Sequence, residues 1–310
     1  MTVLVAPGES VMSAPPFNDT LVTIGSYCLR ASDNGTNLDS YTKVAEMRLK
    51  YDPIVTNVSL NGGADITLLP GATSTVIATG TVTDLNGYAD DTGATSTIYR
   101  SGVGPACSAD NNNCYRMGTS SCVFSSCSGY SCTVSCTSNI YYFADPTDIG
   151  TYAAENWKAF ISVVDTAGGY GTSTTASPVE LLTLRALNVT QGIDYGAVAV
   201  SSDTGAVDAS TTVQNIGNQI INLNIAGTDL TNGASSTIPV ANQKFATTTF
   251  TYSSCVGCNT LATTTVPLTI NLSKPTTTIA VTSKVYWGIA IPFGVAGTAH
   301  QGVNTFYAVP

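Results

Sequence analysis

The sequence predicts a nearly all-β protein built of sandwiches, and three observations carry that expectation. Threonine alternates with apolar residues over long runs, as in Ser74-Thr75-Val76-Ile77-Ala78-Thr79-Gly80-Thr81-Val82-Thr83 and Thr263-Thr264-Thr265-Val266-Pro267-Leu268-Thr269-Ile270-Asn271-Leu272. A period of two in β-branched residues is that of a half-buried strand whose solvent face is covered by hydroxyls. Charged residues make up only 10% of the chain, against roughly 25% in an average soluble domain, so solubility rests on Thr, Ser, Asn and Gly. Amphipathic helical spacing is nearly absent. The best candidate is Ser40 to Tyr51, with Tyr41, Val44, Met47 and Tyr51 three or four apart, but Ala45, Met47, Leu49 and Tyr51 also alternate with Glu46, Arg48 and Lys50. The strand reading is preferred, because it puts every charge on one face.

Taken in order, residues 1–50 read as an extended arm without a core, its apolar pieces Val3-Leu4-Val5 and Thr20-Leu21-Val22-Thr23-Ile24 separated by Pro15-Pro16. Residues 51–185 open at Asp52-Pro53 and carry alternating runs at 55–60, 75–84, 95–100, 139–145 and 157–165 with turn residues between them, a pattern that resembles an immunoglobulin-like sandwich. Residues 186–310 carry runs near 187–200, 210–215, 219–227, 245–252, 262–272, 276–291 and 302–309, enough for a second, Thr-rich sandwich. Asn215-Ile216-Gly217-Asn218 predicts a hairpin between the second and third of these runs. Trp157 and Trp287 are expected in the two cores. The fold class is therefore all-β, two immunoglobulin-like β-sandwich domains with an extended N-terminal arm.

Composition narrows function by exclusion. With 20 acidic and 11 basic residues the net charge is −9, which repels a phosphate backbone and disfavours nucleic acid as a partner. The longest apolar run, Val285 to Ala296, contains Pro292 and two glycines and falls short of the ~20 apolar residues a membrane-spanning helix needs. No basic start followed by an apolar stretch opens the sequence, so any export signal is expected either to have been removed or not to be included in this sequence. Nine cysteines, six of them between Cys107 and Cys136, argue for an oxidising compartment and disulfides.

The cysteine spacing suggests nested bridges across a hairpin, Cys122 with Cys136 and Cys127 with Cys132, nearly symmetric about Gly129-Tyr130. Cys107 with Cys114 and Cys255 with Cys258 suggest two smaller rings, which leaves Cys28 unpaired. Spacing leaves other pairings open, as it does a zinc site on the four clustered cysteines and a redox role for Cys255-Val256-Gly257-Cys258. Asp84, Asn86, Asp90 and Asp91, with Asp165 ending another predicted strand, supply the oxygen ligands that Ca²⁺ requires, so calcium is the one cofactor suggested. The competing reading is an Asx-turn with solvated carboxylates. Asp145 and Asp148, around Pro146, read as turn residues, and Glu155 beside Trp157 as a strand-entry residue. His300 is the single histidine and Glu9, Glu46, Glu155 and Glu180 are the glutamates. No nucleophile motif, phosphate-cradling loop or carboxylate pair for glycoside hydrolysis appears, so no catalytic residues are assigned and the chain is read as a non-enzyme. Asn18, Asn34, Asn57, Asn188 and Asn271 stand in Asn-x-Ser/Thr sequences and are candidate glycan acceptors.

Two sets of segments resemble a known group. They are Val58-Ser59-Leu60-Asn61-Gly62-Gly63-Ala64-Asp65-Ile66 leading into Gly87-Tyr88-Ala89-Asp90, then Ile98-Tyr99-Arg100-Ser101-Gly102-Val103 and Asn113-Cys114-Tyr115. With Thr237-Ile238-Pro239-Val240-Ala241-Asn242-Gln243, Trp287-Gly288-Ile289-Ala290-Ile291-Pro292 and Asn304-Thr305-Phe306, they are similar to predicted secreted immunoglobulin-like surface proteins of ultra-small candidate-phylum bacteria, in scattered blocks over residues 55–310. The resemblance implies an extracellular or cell-surface location and no particular activity. In architecture the chain is also similar to donor-strand pilin and biofilm-fibre subunits. Sheet edges with so few charges are templates for another strand, and an arm without a core is a strand to donate. The expectation is therefore a secreted structural subunit whose arm, through Val3, Leu4, Val5, Leu21, Val22 and Ile24, completes a sheet in another copy and builds a filament or surface array. The alternative is a monomeric adhesin or carbohydrate-binding module.

Overall fold

The computed structural model describes residues 50–207, 209–233 and 236–310. The arm residues named above, Cys28, the sequons at Asn18 and Asn34, and the strand reading over 40–51 apart from its last two residues lie outside the described residues. From Asp52 to Pro310 the chain forms one compact unit. Among the described residues helical structure is limited to three-residue 3-10 turns.

The first eight strands are β1 (Ile54–Leu60), β2 (Thr73–Thr83), β3 (Asp91–Arg100), β4 (Cys114–Met117), β5 (Cys122–Ser128), β6 (Ser131–Tyr141), β7 (Trp157–Asp165) and β8 (Tyr170–Thr174). They form two antiparallel sheets in the orders β1-β2-β6-β5 and β4-β3-β7-β8. With the strands lettered along the chain, this is the A-B-E-D and C-F-G arrangement of an immunoglobulin sandwich with one extra strand beside C. The alternation works as the sequence reading requires. In β2, Val76, Ala78 and Val82 are buried while Thr75 and Ile77 are exposed. Leu60, Ile98, Val134, Ile140, Ile161 and Leu181 close a core around Trp157, whose indole N–H donates to the Asp145 carbonyl at 3.0 Å.

The strand expected at 139–145 is β6, which starts eight residues earlier, inside the cysteine cluster, and stops at Tyr141. Buried Cys132, Val134 and Cys136 alternate with half-buried or exposed serines and threonines, so cysteine serves as the apolar half of the pattern.

The remaining strands are β9 (Leu187–Thr190), β10 (Ser210–Asn215), β11 (Ile221–Gly227), β12 (Leu230–Thr231), β13 (Thr237–Ile238), β14 (Gln243–Ala246), β15 (Asn259–Thr260), β16 (Val266–Leu272), β17 (Val281–Ile289) and β18 (Asn304–Val309). A five-stranded sheet, β15-β14-β17-β10-β9, faces a three-stranded one, β16-β11-β18, and β12 pairs with β13 alone. Phe245, Ile221, Leu223, Ile225, Val213 and Val285 pack around Trp287 in a second core. The runs expected at 187–200, 245–252 and 276–291 are shorter as strands, ending at Thr190, ending at Ala246 and beginning at Val281 respectively.

The expected hairpin at Asn215-Ile216-Gly217-Asn218 is not one. β10 pairs with β9 and β17 whereas β11 pairs with β16 and β18, so these residues carry the chain from one sheet to the other. Both asparagines are fully buried and spend their amides on the corner. Asn215 Nδ2 donates to the carbonyls of Gln219, Leu272 and Ser273, and its Oδ1 accepts from Gly217 N–H. Asn218 accepts from Leu184 N–H and donates to the Leu182 carbonyl. The same residue types that suit a tight turn serve here to satisfy buried backbone groups.

A polar staple joins the sequences of the two cores. Lys274 Nζ, on the β16–β17 connection, reaches Asp145 Oδ1 at 2.6 Å, the Phe143 carbonyl at 2.8 Å and Asn112 Oδ1 at 3.2 Å. Arg100 Nε stands 3.4 Å from the other Asp145 oxygen, and its guanidinium also pairs with Glu155 and lies over the Tyr152 ring. Asp145 is thus a buried ion-pair centre, where the sequence suggested a turn residue. Glu155 is Arg100's second partner and accepts from Gly102 N–H.

Candidate functional site

A cleft of about 1270 Å³ opens in the second sandwich, above the roughly 300–1,000 Å³ common for small-molecule sites. It lies between β9 and β18, the outer strands of the two facing sheets. Leu187, Val189, Ile193, Val295 and Phe306 give it apolar walls, and among the described residues Asp194 and His300 are its only carboxylate and imidazole. Phe306 reaches the core directly, edge-on to Trp287 at 5.8 Å. The wall holds one built polar feature. Gln243 Oε1 accepts from Tyr195 Oη at 2.9 Å and Asn304 Nδ2 at 3.1 Å, while the buried Nε2 has no partner. Burial holds the Tyr195 phenol above its ordinary range.

The first sandwich shows what belongs in such a position. There β8 pairs with β7 and lies so close to the start of β1 that a Cβ on Gly171 would stand 1.9 Å from the Pro53 carbonyl oxygen. Matched by strand order, β1, β2, β3 and β7 correspond to β9, β10, β11 and β18. Among the described residues no strand pairs with the outer edge of β18 to play the part of β8.

His300 sits on the rim of this cleft. Its Nδ1 faces the Thr298 carbonyl at 2.8 Å and so carries the proton, leaving Nε2 to accept from Ser236 Oγ at 3.0 Å. A hydrolytic triad puts a carboxylate behind the imidazole. Here a main-chain carbonyl stands in that place, and Ser236 Oγ already accepts Ala296 N–H, so the pair ties two loops together.

The acidic residues singled out in the sequence converge at one end of the first sandwich. One carboxylate oxygen each from Asp84, Asp90 and Asp165 lie within 4.8 Å of one another. Asp84 and Asp90 come from the β2–β3 connection, and Asp165 ends β7. The Asx-turn exists, with Asn86 N–H donating to Asp84 Oδ1 at 2.7 Å, but the carboxylate is not solvated. Asp84 is 0% exposed and its Oδ2 has no hydrogen-bond partner. Asp165 Oδ1 accepts from Ala167 and Gly169 N–H, and Asp90 accepts from the Thr166 hydroxyl. Asp91 stands outside the triplet with both carboxylate oxygens buried and without hydrogen bonds. Its pKa is pushed up to about 6, by burial first and then by the charges of Asp84, Asp90 and Asp165. Burial also raises Asp84 against the opposing Asn86 hydrogen bond, and the charges of Asp90, Asp165 and Asp52 add to the rise.

The structure pairs Cys107 with Cys114, Cys122 with Cys136, Cys127 with Cys132 and Cys255 with Cys258. Sulfurs so paired are not thiolate ligands, which removes the four clustered cysteines from the zinc reading. Cys122 and Cys136 face each other across β5 and β6, and Cys127–Cys132 closes the same hairpin nearer its turn. Asn57, Asn188 and Asn271 are exposed on strands, so all three described sequons are open to solvent. Gln243, Asn304 and Tyr195 were not legible as a group. They are scattered over the sequence, and only the packing of the two facing sheets and the segment after β9 brings them together.

No protein-family model matches the chain, and no curated protein does. A solved structure to which it is similar is the secreted serine protease VesC from Vibrio cholerae, at 11% identity and a TM-score of 0.20 over 79% of this chain and 49% of that one. The chain thus spans about half the length of that protein, and a likeness of this order carries no argument about activity. No helix among the described residues is long and apolar enough to cross a membrane.

Proposed function

We propose that the protein is a secreted structural subunit that polymerises into an extracellular filament or surface array, the arm of one copy entering the cleft between β9 and β18 of the next. The observation that carries this reading is that, among the described residues, no strand pairs with the outer edge of β18. That edge flanks an apolar cleft that opens onto the core, while in the sister sandwich β8 pairs with the corresponding strand β7. Strand addition at such an edge draws affinity from main-chain hydrogen bonds and specificity from alternate side chains set in pockets. The occupant favoured is residues 1–49 of another copy. In Thr20-Leu21-Val22-Thr23-Ile24 the strand period puts Val22 and Ile24 on one face, and the nearly uncharged cleft suits such a segment. The contact is heterologous, so it propagates as a filament unless the rotation closes a ring. Four disulfides agree with an oxidising, extracellular setting, as does the resemblance to secreted surface proteins.

The test compares the full chain, a variant lacking residues 1–30, and Val22→Asp by negative-stain microscopy and light scattering. Fibres from the full chain, monomers from both variants, and capping of growth by a peptide of residues 16–30 support the reading. A full chain that stays monomeric overturns it. If the peptide nonetheless binds the truncated protein, the arm returns to its own sandwich. If it does not, the cleft serves some other ligand, as a monomeric adhesin would require.

A further inference from the structure

We infer that the first sandwich carries a calcium site, formed by Asp84, Asp90 and Asp165 with Asp91 beside them, that clamps the β2–β3 connection to the β7–β8 turn. Two independent observations meet there. Three carboxylates from two separate loops present oxygens within 4.8 Å of one another. One of them, Asp84, is 0% exposed with an oxygen that no protein donor satisfies. A buried, unmatched carboxylate oxygen costs several kcal/mol unless paired or bound to a metal, on the order of a whole domain's margin of stability. An ion held at about 2.3–2.6 Å from each ligand keeps any two of them within roughly 5 Å, as these are.

The donor set selects the metal. All the side-chain donors are hard carboxylate oxygens, with no imidazole or thiolate among them, which disfavours zinc and copper. They come from irregular connections, and Ca²⁺ accepts such variable shells where Mg²⁺ demands a near-ideal octahedron and keeps its waters. Carbonyls and water complete the usual six to eight ligands, as in other shells of this kind. Part of the frame is already braced. Asp165 Oδ1 is fixed by two turn amides, Thr166 N–H donates to the Asp90 carbonyl, and Asp84 N–H donates to Tyr130 in the β5–β6 turn. Three loops at one end of the sandwich therefore meet at the carboxylates.

The full chain, stripped with chelator and dialysed, is titrated with CaCl₂ and in parallel with MgCl₂, with calorimetry and thermal melting as readouts. Calcium is expected to bind with a midpoint of about 0.1–1 mM, the range of extracellular modules, and to raise the Tm, while magnesium at the same concentration does little. Asp90→Asn, at a half-buried position, should weaken calcium binding at least tenfold. Asp84→Asn should abolish the response and yet raise the Tm in chelator, because it removes a buried charge that nothing then balances. Loss of folding in Asp84→Asn leaves Asp90→Asn to decide. Absence of any calcium heat or Tm shift at 10-fold above that range overturns the inference, as does an unchanged response in Asp90→Asn or an equal response to magnesium.

Discussion

Replacing Asp145 with Ala removes the anion that two cations from different sandwiches share. Lys274 Nζ loses a contact of 2.6 Å and Arg100 Nε one of 3.4 Å. Breaking a buried pair by deleting one partner costs about 3–5 kcal/mol, because the other charge is stranded. Two features of the structure reduce that figure. Arg100 keeps Glu155, and Lys274 keeps the Phe143 carbonyl and Asn112 and is the more exposed of the two cations. The expected loss is therefore about 2–4 kcal/mol, between the roughly 1.5–3 kcal/mol of one charge-assisted hydrogen bond and the about 3–5 kcal/mol of a fully stranded partner. In a unit of this size that lowers Tm by about 5–15 °C. Urea unfolding followed by tryptophan fluorescence reads it, since Trp157 and Trp287 each sit in one core. With the staple gone, the two cores are expected to unfold in separable steps. A double-mutant cycle with Lys274→Ala should give a coupling of at least ~1 kcal/mol, as for contacting residues in one network. A total change under about 0.5 kcal/mol would refute the argument, because the pair would then behave as a solvated surface ion pair.

Other changes test the frame. Gly217→Ala should destabilise by more than ~2 kcal/mol in the same assay, since its Cβ would lie 2.2 Å from the Leu184 carbonyl oxygen and backbone cannot yield cheaply. Asn215→Ala should cost about 2–3 kcal/mol, because it removes buried hydrogen bonds to the Leu272 carbonyl and from the Gly217 amide. On loop-closure entropy, opening Cys122–Cys136, separated by 14 residues, should cost about 3 kcal/mol and opening Cys255–Cys258, separated by 3, about 1.6 kcal/mol. Paired Cys→Ser variants compared by thermal melting check that order, and a reversed order would show that strain or strand pairing outweighs the chain term.

What could be read from the sequence and what could not divide along a physical line. Alternation is a local signal, so β1, β2, β7, β10 and β11 were legible within two residues at either end. β4, β5 and β8 were missed. β5 is exposed or half-buried throughout, β8 does not bury a single side chain, and β4 is only four residues long with Cys114 as part of its inward face. Pairing is non-local, and there the sequence misled: Asn215-Ile216-Gly217-Asn218 has the residues of a turn, and only the partners of β10 and β11 reveal a change of sheet. The acidic site was half legible. Ligand chemistry marked Asp84, Asp90 and Asp165, but burial, which separates a buried, unmatched carboxylate from a solvated Asx-turn, belongs to the packed structure.

The comparison of the two sandwiches within one chain bears most on function. Both run A-B-E-D in one sheet, as β1-β2-β6-β5 and as β9-β10-β17-β14, and both set the next strand in chain order, β3 or β11, at the centre of the facing sheet. They differ at the strand after F. In the first, β8 pairs with the edge of β7 and lies against the start of β1. In the second, the same strip is an open cleft with Phe306 on its wall and Trp287 behind it. An isolated sandwich of that shape leaves apolar surface and a strand edge in water, a liability that proteins elsewhere blunt with charge, proline or a covering element. Asn304-Thr305-Phe306-Tyr307-Ala308-Val309 has no charge and no proline, and among the described residues no strand covers the outer edge of β18. The strand-donation proposal turns on that edge, because main-chain hydrogen bonds and alternate side chains are what an added strand would use there.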